Sequence, residues 1–350
     1  MNYGKYLNNF KKISLILLIS LFLIEIFSKI ILKLDFFRSF EHSNLTFSFT
    51  EFDEEKSIDL KKSISLNKDI KIFTDKNRFR VKDFNYNTDL KNDNPKFVFL
   101  GDSVPFGWGV NYEDSVPGHF EKIDNRFQII NAAVPSYTPK QSIKKFLNFS
   151  SKIKNLEYLY ISNFNPLDLY LLFGEKWNEN INWSNYLEHL SKDLFFFKYK
   201  RIPLWGEISS FKILRKIYVI NFFRINDKIQ YNKTKLSDQK FINYYTDQLE
   251  NLKDLTSEKL IIIYTPIFTP LHLKKNNEIT TTIEKEKLNL MNKINLNLKN
   301  YENENFVFLD IISFMKNQKI NQVFIDDCCH LSSFGAKIIA DNLNLIINKY

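Results

Sequence analysis

Apolar residues gather along this chain in two different patterns. The first is one unbroken block. After Lys5, Lys11 and Lys12, the stretch Ile13-Ser-Leu-Ile-Leu-Leu-Ile-Ser-Leu-Phe-Leu-Ile24 carries no charge, and it continues through Glu25 and Lys29 to Leu32. About 20 such residues span a bilayer as a helix. Glu25 and Lys29 stand four apart on one helical face, where they can pair and partly neutralise each other, and Lys29 can snorkel toward an interface. The pattern predicts a transmembrane anchor over 13–34 behind a cytoplasmic N-terminus at 1–12. A cleaved signal peptide would suit the apolar run to Ile24, but no small-residue cleavage site follows and bulky Phe36 and Phe37 come next. A soluble core helix is the third reading, and its place before every other element argues against it. Lys33 and Arg38 follow the block, so the positive-inside asymmetry favouring an N-in orientation is weak.

The second pattern is a series of short apolar runs separated by helix-length segments: Phe97–Leu100, Phe127–Ile130, Glu157–Ile161, Leu260–Tyr264 and Phe306–Leu309. These runs are continuous rather than alternating, as in parallel strands buried on both faces. Five such strands with crossover helices predict a doubly wound α/β layer structure. The last helix is expected from Ser333 to about Asn348, with Phe334, Ile338, Ile339, Leu345 and Ile346 on the stripe that packs against the sheet. Residues 35–95 are polar, with short alternating pieces at Leu45–Phe49 and Asp69–Phe73, and read as a stalk and edge segment. The turn cluster Asn92-Asp-Asn-Pro95 then opens a domain over 96–350. A long aromatic and basic stretch interrupts that domain as a helical insertion at about 170–258. It includes Leu194-Phe-Phe-Phe-Lys-Tyr-Lys-Arg201, and it suits either a lid over a site or a helical subdomain packed by its own aromatics.

Composition narrows the classes of function. At 350 residues the chain is long enough for one elaborated domain or two smaller ones. The net charge of +9 raises the question of an anionic partner, yet the lysines are scattered among acidic residues and form no compact stripe with interleaved aromatics. The charge reads as a lysine-rich bias on a solvated surface, so nucleic acid is not an expected partner; any electrostatic preference would serve an anionic glycan or a membrane surface. The two cysteines, Cys328 and Cys329, are neighbours, and bridging adjacent residues demands a strained geometry, so no structural disulfide is expected. Metal-ligand spacings are missing as well, and neither a metal nor a cofactor is expected.

The candidate chemistry lies at the ends of two predicted elements. Ser103 follows the first strand directly, at the carboxyl end where open α/β sheets bind ligands. Gly101 permits a tight turn before it. A serine hydroxyl needs a base to take its proton. Among five histidines, His330 has a carboxylate at an activating spacing, in Asp327-Cys-Cys-His330. Asp327 is expected to accept from Nδ1–H and fix the tautomer that leaves Nε2 free for Ser103. Asp102 is expected to shape the turn by bonding local backbone, and His42, His119, His189 and His272 are read as ordinary surface or core residues.

Gly101-Asp-Ser103 after a strand, Asn131-Ala-Ala-Val-Pro135 after the next, and Asp327-x-x-His330 before a final helix resemble the SGNH (GDSL-type) hydrolases. Phe106-Gly-Trp-Gly-Val110, His330-Leu-Ser-Ser-Phe-Gly335 and Asn77-Arg-Phe-Arg80 add to the likeness with membrane-anchored members, which spans about residues 75 to 348. The resemblance implies a flavodoxin-like α/β/α sandwich with a five-stranded parallel sheet, and ester chemistry through an acyl-enzyme. It implies an oxyanion hole from the N–H of Ser103, the N–H of Ala133 (where the family usually has glycine) and the side chain of Asn165; if Asp168 instead aligns with the third block's final aspartate, Leu167 takes the asparagine's place and that donor is lost. The expected activity is removal of an acyl group, acetyl foremost, from a surface glycan or related ester, by a catalytic domain held outside the cytoplasm. Transfer of the acyl group to a sugar, or glycan binding without turnover, are the alternatives.

Overall fold

The computed structural model describes residues 3–32, 49–53, 57–67, 70–162, 238–253, 260–326 and 328–350. The chain divides into two units, residues 1–48 with 190–233, and residues 49–189 with 234–350. In the first unit the described element is helix α1, Tyr3–Leu32. Its segment Lys12–Ile30 is long and apolar enough to cross a membrane by length and composition. Most of its large apolar side chains, Leu17, Phe22 and Phe27 among them, are exposed.

The second unit begins with an antiparallel hairpin, β1 (Thr50–Asp53) and β2 (Ser57–Leu60), registered Thr50 to Leu60. Three short strands follow: β3 (Ser65–Asn67), β4 (Lys71–Thr74) and β5 (Arg80–Val81). The five apolar runs then form β6 (Lys96–Gly101), β7 (Gln128–Asn131), β8 (Leu156–Ser162), β9 (Ile261–Tyr264) and β10 (Phe306–Phe308). The eight-stranded sheet runs β10-β9-β8-β6-β7-β5-β4-β3. Every pairing from β10 to β7 is parallel, while β5, β4 and β3 add to the β7 side antiparallel. Numbered along the chain, the parallel strands stand in the flavodoxin-like order 2-1-3-4-5, whose switch point lies between the first and third strands. Here those are β6 and β8.

Burial explains why β6 reads as an uninterrupted apolar run: all six of its residues are buried. Phe97 and Phe99 stack on one face with centroids 4.6 Å apart. Phe97 meets Phe120 of helix α3 (Val116–Ile123) edge-on at 4.9 Å. Helix α4 (Pro139–Ser150) follows β7 and starts on a capping box between Thr138 and Gln141. Its Lys145 is buried and paired with Asp59 of β2 at 2.8 Å, while also donating to the Arg78 carbonyl at 3.0 Å, so the hairpin is tied to the body.

Most of the expected insertion, residues 163–237 and 254–258, lies outside the described ones; Asp238–Lys253 is a helix, α5, ahead of β9 in the chain. It buries Ile242, Tyr245, Leu249 and Leu252, and its Tyr244 hydroxyl accepts the Lys140 N–H. Helix α6 (Thr282–Lys299) packs beside it and leads to β10. Two short helices, α7 (Ile311–Met315) and α8 (Ile320–Val323), precede the last helix, α9 (Ser333–Ile347).

The buried stripe of α9 differs from the expected one. It consists of Gly335, Ala336, Ile339, Ala340, Leu343 and Ile347, whereas Phe334 and Leu345 are 46% and 61% exposed. The helix packs chiefly on α3, and the small residues decide which side faces in. A Cβ at Gly335 would lie 2.4 Å from the Val323 carbonyl oxygen, a distance only glycine tolerates.

Candidate active site

Ser103 sits where β6 ends, at the switch point of the sheet. Gly101 has φ 140°, and a Cβ there would come within 1.8 Å of the Ser162 carbonyl oxygen at the end of β8. Only glycine lets the chain leave the strand this close to its neighbour. Asp102 then caps a one-turn helix, α2 (Ser103–Phe106), its carboxylate accepting the Val104 N–H at 2.9 Å. This is the backbone role expected of Asp102. The turn closes at Gly107, left-handed with φ 83°, whose N–H donates to the carbonyls of Ser103 and Val104. The first N–H groups of a helical turn have no partner within it, and Ser103 is the first residue of this one.

Arg80, the last residue of the Asn77-Arg-Phe-Arg80 stretch, carries no signal of a role in the sequence, yet it lies under the nucleophile turn. Arg80 is 1% exposed. Its guanidinium donates to the carbonyls of Phe106 and Gly107, each at 2.6 Å, and of Val110 at 2.7 Å, and lies 4.7 Å over the Phe106 ring. Burial lowers its pKa to about 10, against the opposing influence of Tyr112 and Glu113, so it stays charged at neutral pH. Asn131, at the end of β7, donates from its carboxamide to the Pro105 and Phe106 carbonyls at 3.2 and 3.4 Å. The carbonyls of the turn are thus held by fixed donors on β5 and β7.

His330 arrives from the other end of the chain on a loop closed by an antiparallel bridge between Phe324 and Leu331. The Ile325 N–H donates to the His330 carbonyl at 2.9 Å, and the Ser332 N–H to the Val323 carbonyl at 2.8 Å. His330 Nε2 lies 3.0 Å from Ser103 Oγ. Its Nδ1 is in a short contact with Asp326 Oδ2. The second oxygen, Asp326 Oδ1, accepts the N–H groups of Cys328, Cys329 and His330 at 3.0, 3.1 and 3.2 Å. Burial pushes the Asp326 carboxyl up, but the hydrogen bond and charge of His330 and the two backbone N–H bonds outweigh it and hold it below the usual carboxylate value. The Trp108 ring, 8% exposed, stands 6.0 Å from the imidazole.

The carboxylate on His330 is therefore Asp326, one residue before the position that the Asp-x-x-His spacing indicated. Asp327 itself lies outside the described residues, as does Asn165. Spacing along a loop does not decide which carboxylate the loop presents to the imidazole. Here the loop wraps Asp326, which caps three successive N–H groups and reaches Nδ1 with its remaining oxygen.

Ala133 also differs from its expected role. It is fully buried, and its N–H donates to Asn131 Oδ1 at 3.2 Å, so this donor is engaged within the protein. The glycine-like backbone in this segment is found at Ser136, which has φ 73° and is half-buried. The segment runs beside the nucleophile strand, with the Val134 N–H donating to the Gly101 carbonyl at 3.0 Å.

His119 has a partner that its sequence context did not reveal. Ser333 donates to Asp114 Oδ1 at 2.8 Å, and His119 Nε2 lies 3.0 Å from the same hydroxyl. With the hydroxyl proton on Asp114, Nε2 is the donor. Burial, then the nearby Lys122, lower the pKa of His119. His272 caps the turn at Thr269–Leu273, accepting the Thr269 N–H on Nδ1 at 3.2 Å. His42 and His189 lie outside the described residues.

No family model matches this chain, and no curated protein matches it significantly. Solved structures similar to it include a member of the lipolytic protein G-D-S-L family from Veillonella parvula. That chain is 12% identical, with 73% of this chain and 99% of that one covered and a TM-score of 0.40. The lipase Lip_vut3 from a goat rumen metagenome is 13% identical over 72% of this chain and 96% of its own, with a TM-score of 0.42. The C-terminal catalytic domain of peptidoglycan O-acetyltransferase A from Streptococcus pneumoniae is 12% identical over 74% and 95%, with a TM-score of 0.38.

Proposed function

We propose that this chain is a membrane-anchored serine esterase of SGNH type that removes an acyl group, acetyl foremost, from a cell-surface glycan or related ester. The observation that carries the reading is the chain of contacts from Ser103 Oγ through His330 to Asp326, formed by residues 227 and 4 positions apart. Asp326 holds Nδ1–H, so Nε2 presents a lone pair to the Ser103 hydroxyl. Ser103 attacks the ester carbonyl as His330 takes its proton, and His330 returns that proton to the departing alcohol. Water, deprotonated by the same imidazole, then releases the acid from the acyl-enzyme.

Negative charge on the tetrahedral oxygen needs donors fixed in advance. We assign the Ser103 N–H as one donor and the Ser136 N–H as the second, because Ser136 carries the left-handed backbone and partial exposure that Ala133 lacks. Asn165 remains the side-chain candidate. Helix α1 is the anchor in this proposal, oriented N-in, with the catalytic unit in the periplasm or outside the cell.

The test uses the full-length chain in detergent, assayed with an aryl acetate and with an O-acetylated polysaccharide. Release of free acetate by the wild type and its loss in Ser103→Ala is the expected result. Equal release by both proteins would end the proposal. Addition of an unacylated acceptor glycan separates hydrolysis, which gives free acid, from transfer, which gives acylated sugar.

A further inference from the structure

Cys328 and Cys329 have no part in the proposed mechanism, yet they lie between the base and its carboxylate. Both are free thiols; Cys328 is exposed and Cys329 is buried. Their sulfurs are 3.1 Å apart. Their backbone N–H groups are two of the three that Asp326 Oδ1 accepts, and Asp326 Oδ2 is the atom on His330 Nδ1. We infer that this vicinal dithiol is a covalent modification site, at which a small-molecule or protein disulfide closes a Cys328–Cys329 bond and disables His330 as a base. The inference rests on the proposed role of His330.

The chemistry balances without another reactant. Cys328, the accessible thiol, attacks the oxidant as its thiolate, forming a mixed disulfide and expelling one thiol. Cys329 Sγ then displaces the second thiol. Two electrons pass to the oxidant, and the two thiol protons leave with its halves. Burial raises the Cys329 thiol well above its ordinary range, which makes Cys328 the entry point.

Geometry supplies the consequence. Adjacent Cα atoms stand about 3.8 Å apart across a trans peptide, whereas disulfides prefer roughly 4.4–6.8 Å. Closing the eight-membered ring therefore twists the peptide that carries the Cys329 N–H. Asp326 Oδ1 loses donors that orient it, and the carboxylate shifts from Nδ1. A misplacement of about 1 Å in a catalytic group costs about 10²-fold in rate. The same strain makes the bond readily reducible, as labile and regulatory disulfides are. A location outside the cytoplasm would expose the pair to oxidising conditions.

The experiment treats the full-length protein in detergent with oxidised glutathione, follows its intact mass, and measures the rate at which a fluorophosphonate labels Ser103. The expected species is two hydrogens lighter than the reduced protein, carries no glutathione, and labels at least about tenfold more slowly. Dithiothreitol should restore the rate, and Cys328→Ser should label at the reduced wild-type rate with or without oxidant. A disulfide-closed protein that labels as fast as the reduced one would overturn the inference, as would a protein that stops at the glutathione adduct. Failure of the reduced wild type to label at all would count against the esterase reading; the dithiol would then be judged by the mass alone.

Discussion

Replacing Asp326 by asparagine keeps the size of the side chain and exchanges one oxygen for an amide nitrogen. Asp326 Oδ1 accepts three backbone N–H groups at 3.0–3.2 Å, and Oδ2 faces His330 Nδ1. An asparagine must choose which end faces which. Keeping its oxygen on the three N–H groups preserves about 3 kcal/mol of hydrogen bonding at about 1 kcal/mol each, against about 1 kcal/mol for the single bond to Nδ1. The amide NH₂ therefore faces His330 by a margin of about 2 kcal/mol, roughly a factor of 30. Facing a donor, Nδ1 becomes the acceptor and the proton moves to Nε2, where it cannot accept from Ser103. The imidazolium formed during attack also loses its counter-charge. Together these effects approach the cost of about 10⁴ in kcat that this exchange brings to a Ser-His-Asp site. Steady-state ester hydrolysis by Asp326→Asn should fall by about 10³–10⁴, with little change in Tm. Asp327→Asn should stay within about threefold of wild type. If Asp327→Asn falls as far and Asp326→Asn keeps its activity, the assignment of the carboxylate is wrong.

Other perturbations test the frame around the site. Arg80→Met removes the donor from three carbonyls and should cost roughly 3–5 kcal/mol in denaturant unfolding, at about 1–3 kcal/mol for each acceptor left unsatisfied, with slower labelling of Ser103; Arg80→Lys should only partly recover both, since an ammonium lacks the planar fork. A stability within about 1 kcal/mol of wild type would refute that role. Lys145→Met removes the buried cation paired with the Asp59 carboxylate and should destabilise by roughly 3–5 kcal/mol in denaturant unfolding; a loss under about 1 kcal/mol would refute that role. Burial depresses His272 from 6.5 to about 4, with the Thr269 backbone opposing the shift. The unfolded chain thus binds the extra proton first, and stability should decline as pH falls from about 6.5 toward about 4, by a total near 3 kcal/mol. Urea melts across that range should show the slope in the wild type and a flatter one in His272→Gln.

The parallel sheet was readable in the sequence because strands buried on both faces leave no room for alternation; Phe97–Leu100 and Phe306–Leu309 announce themselves by hydrophobicity alone. The antiparallel strands beyond β7 are short, and Arg80–Val81 has too few residues to show a period. Ser103 and His330 were legible because each follows a recognisable element end. Asp326 was not, because the loop's wrapping rather than its spacing selects the carboxylate. The stripe of α9 was misread for a related reason. Hydrophobicity points to Phe334 and Leu345, but the close approach of Gly335 to the Val323 backbone turns the side carrying Ala336 and Ala340 inward. The role of Arg80 depends on contacts with a segment 26–30 residues further along the chain, which no local pattern records, whereas the Ala133 N–H is engaged by a neighbour two residues back.

The central claim is that Ser103 is a nucleophile activated by His330. Treating the full-length protein with a fluorophosphonate and locating the adduct by peptide mass spectrometry tests it most directly. The account predicts one phosphonyl group on Ser103, formed rapidly in the wild type, absent in Ser103→Ala and slowed by about 10³ or more in His330→Ala. An adduct on any other serine, or a Ser103 adduct forming equally fast without His330, would contradict it.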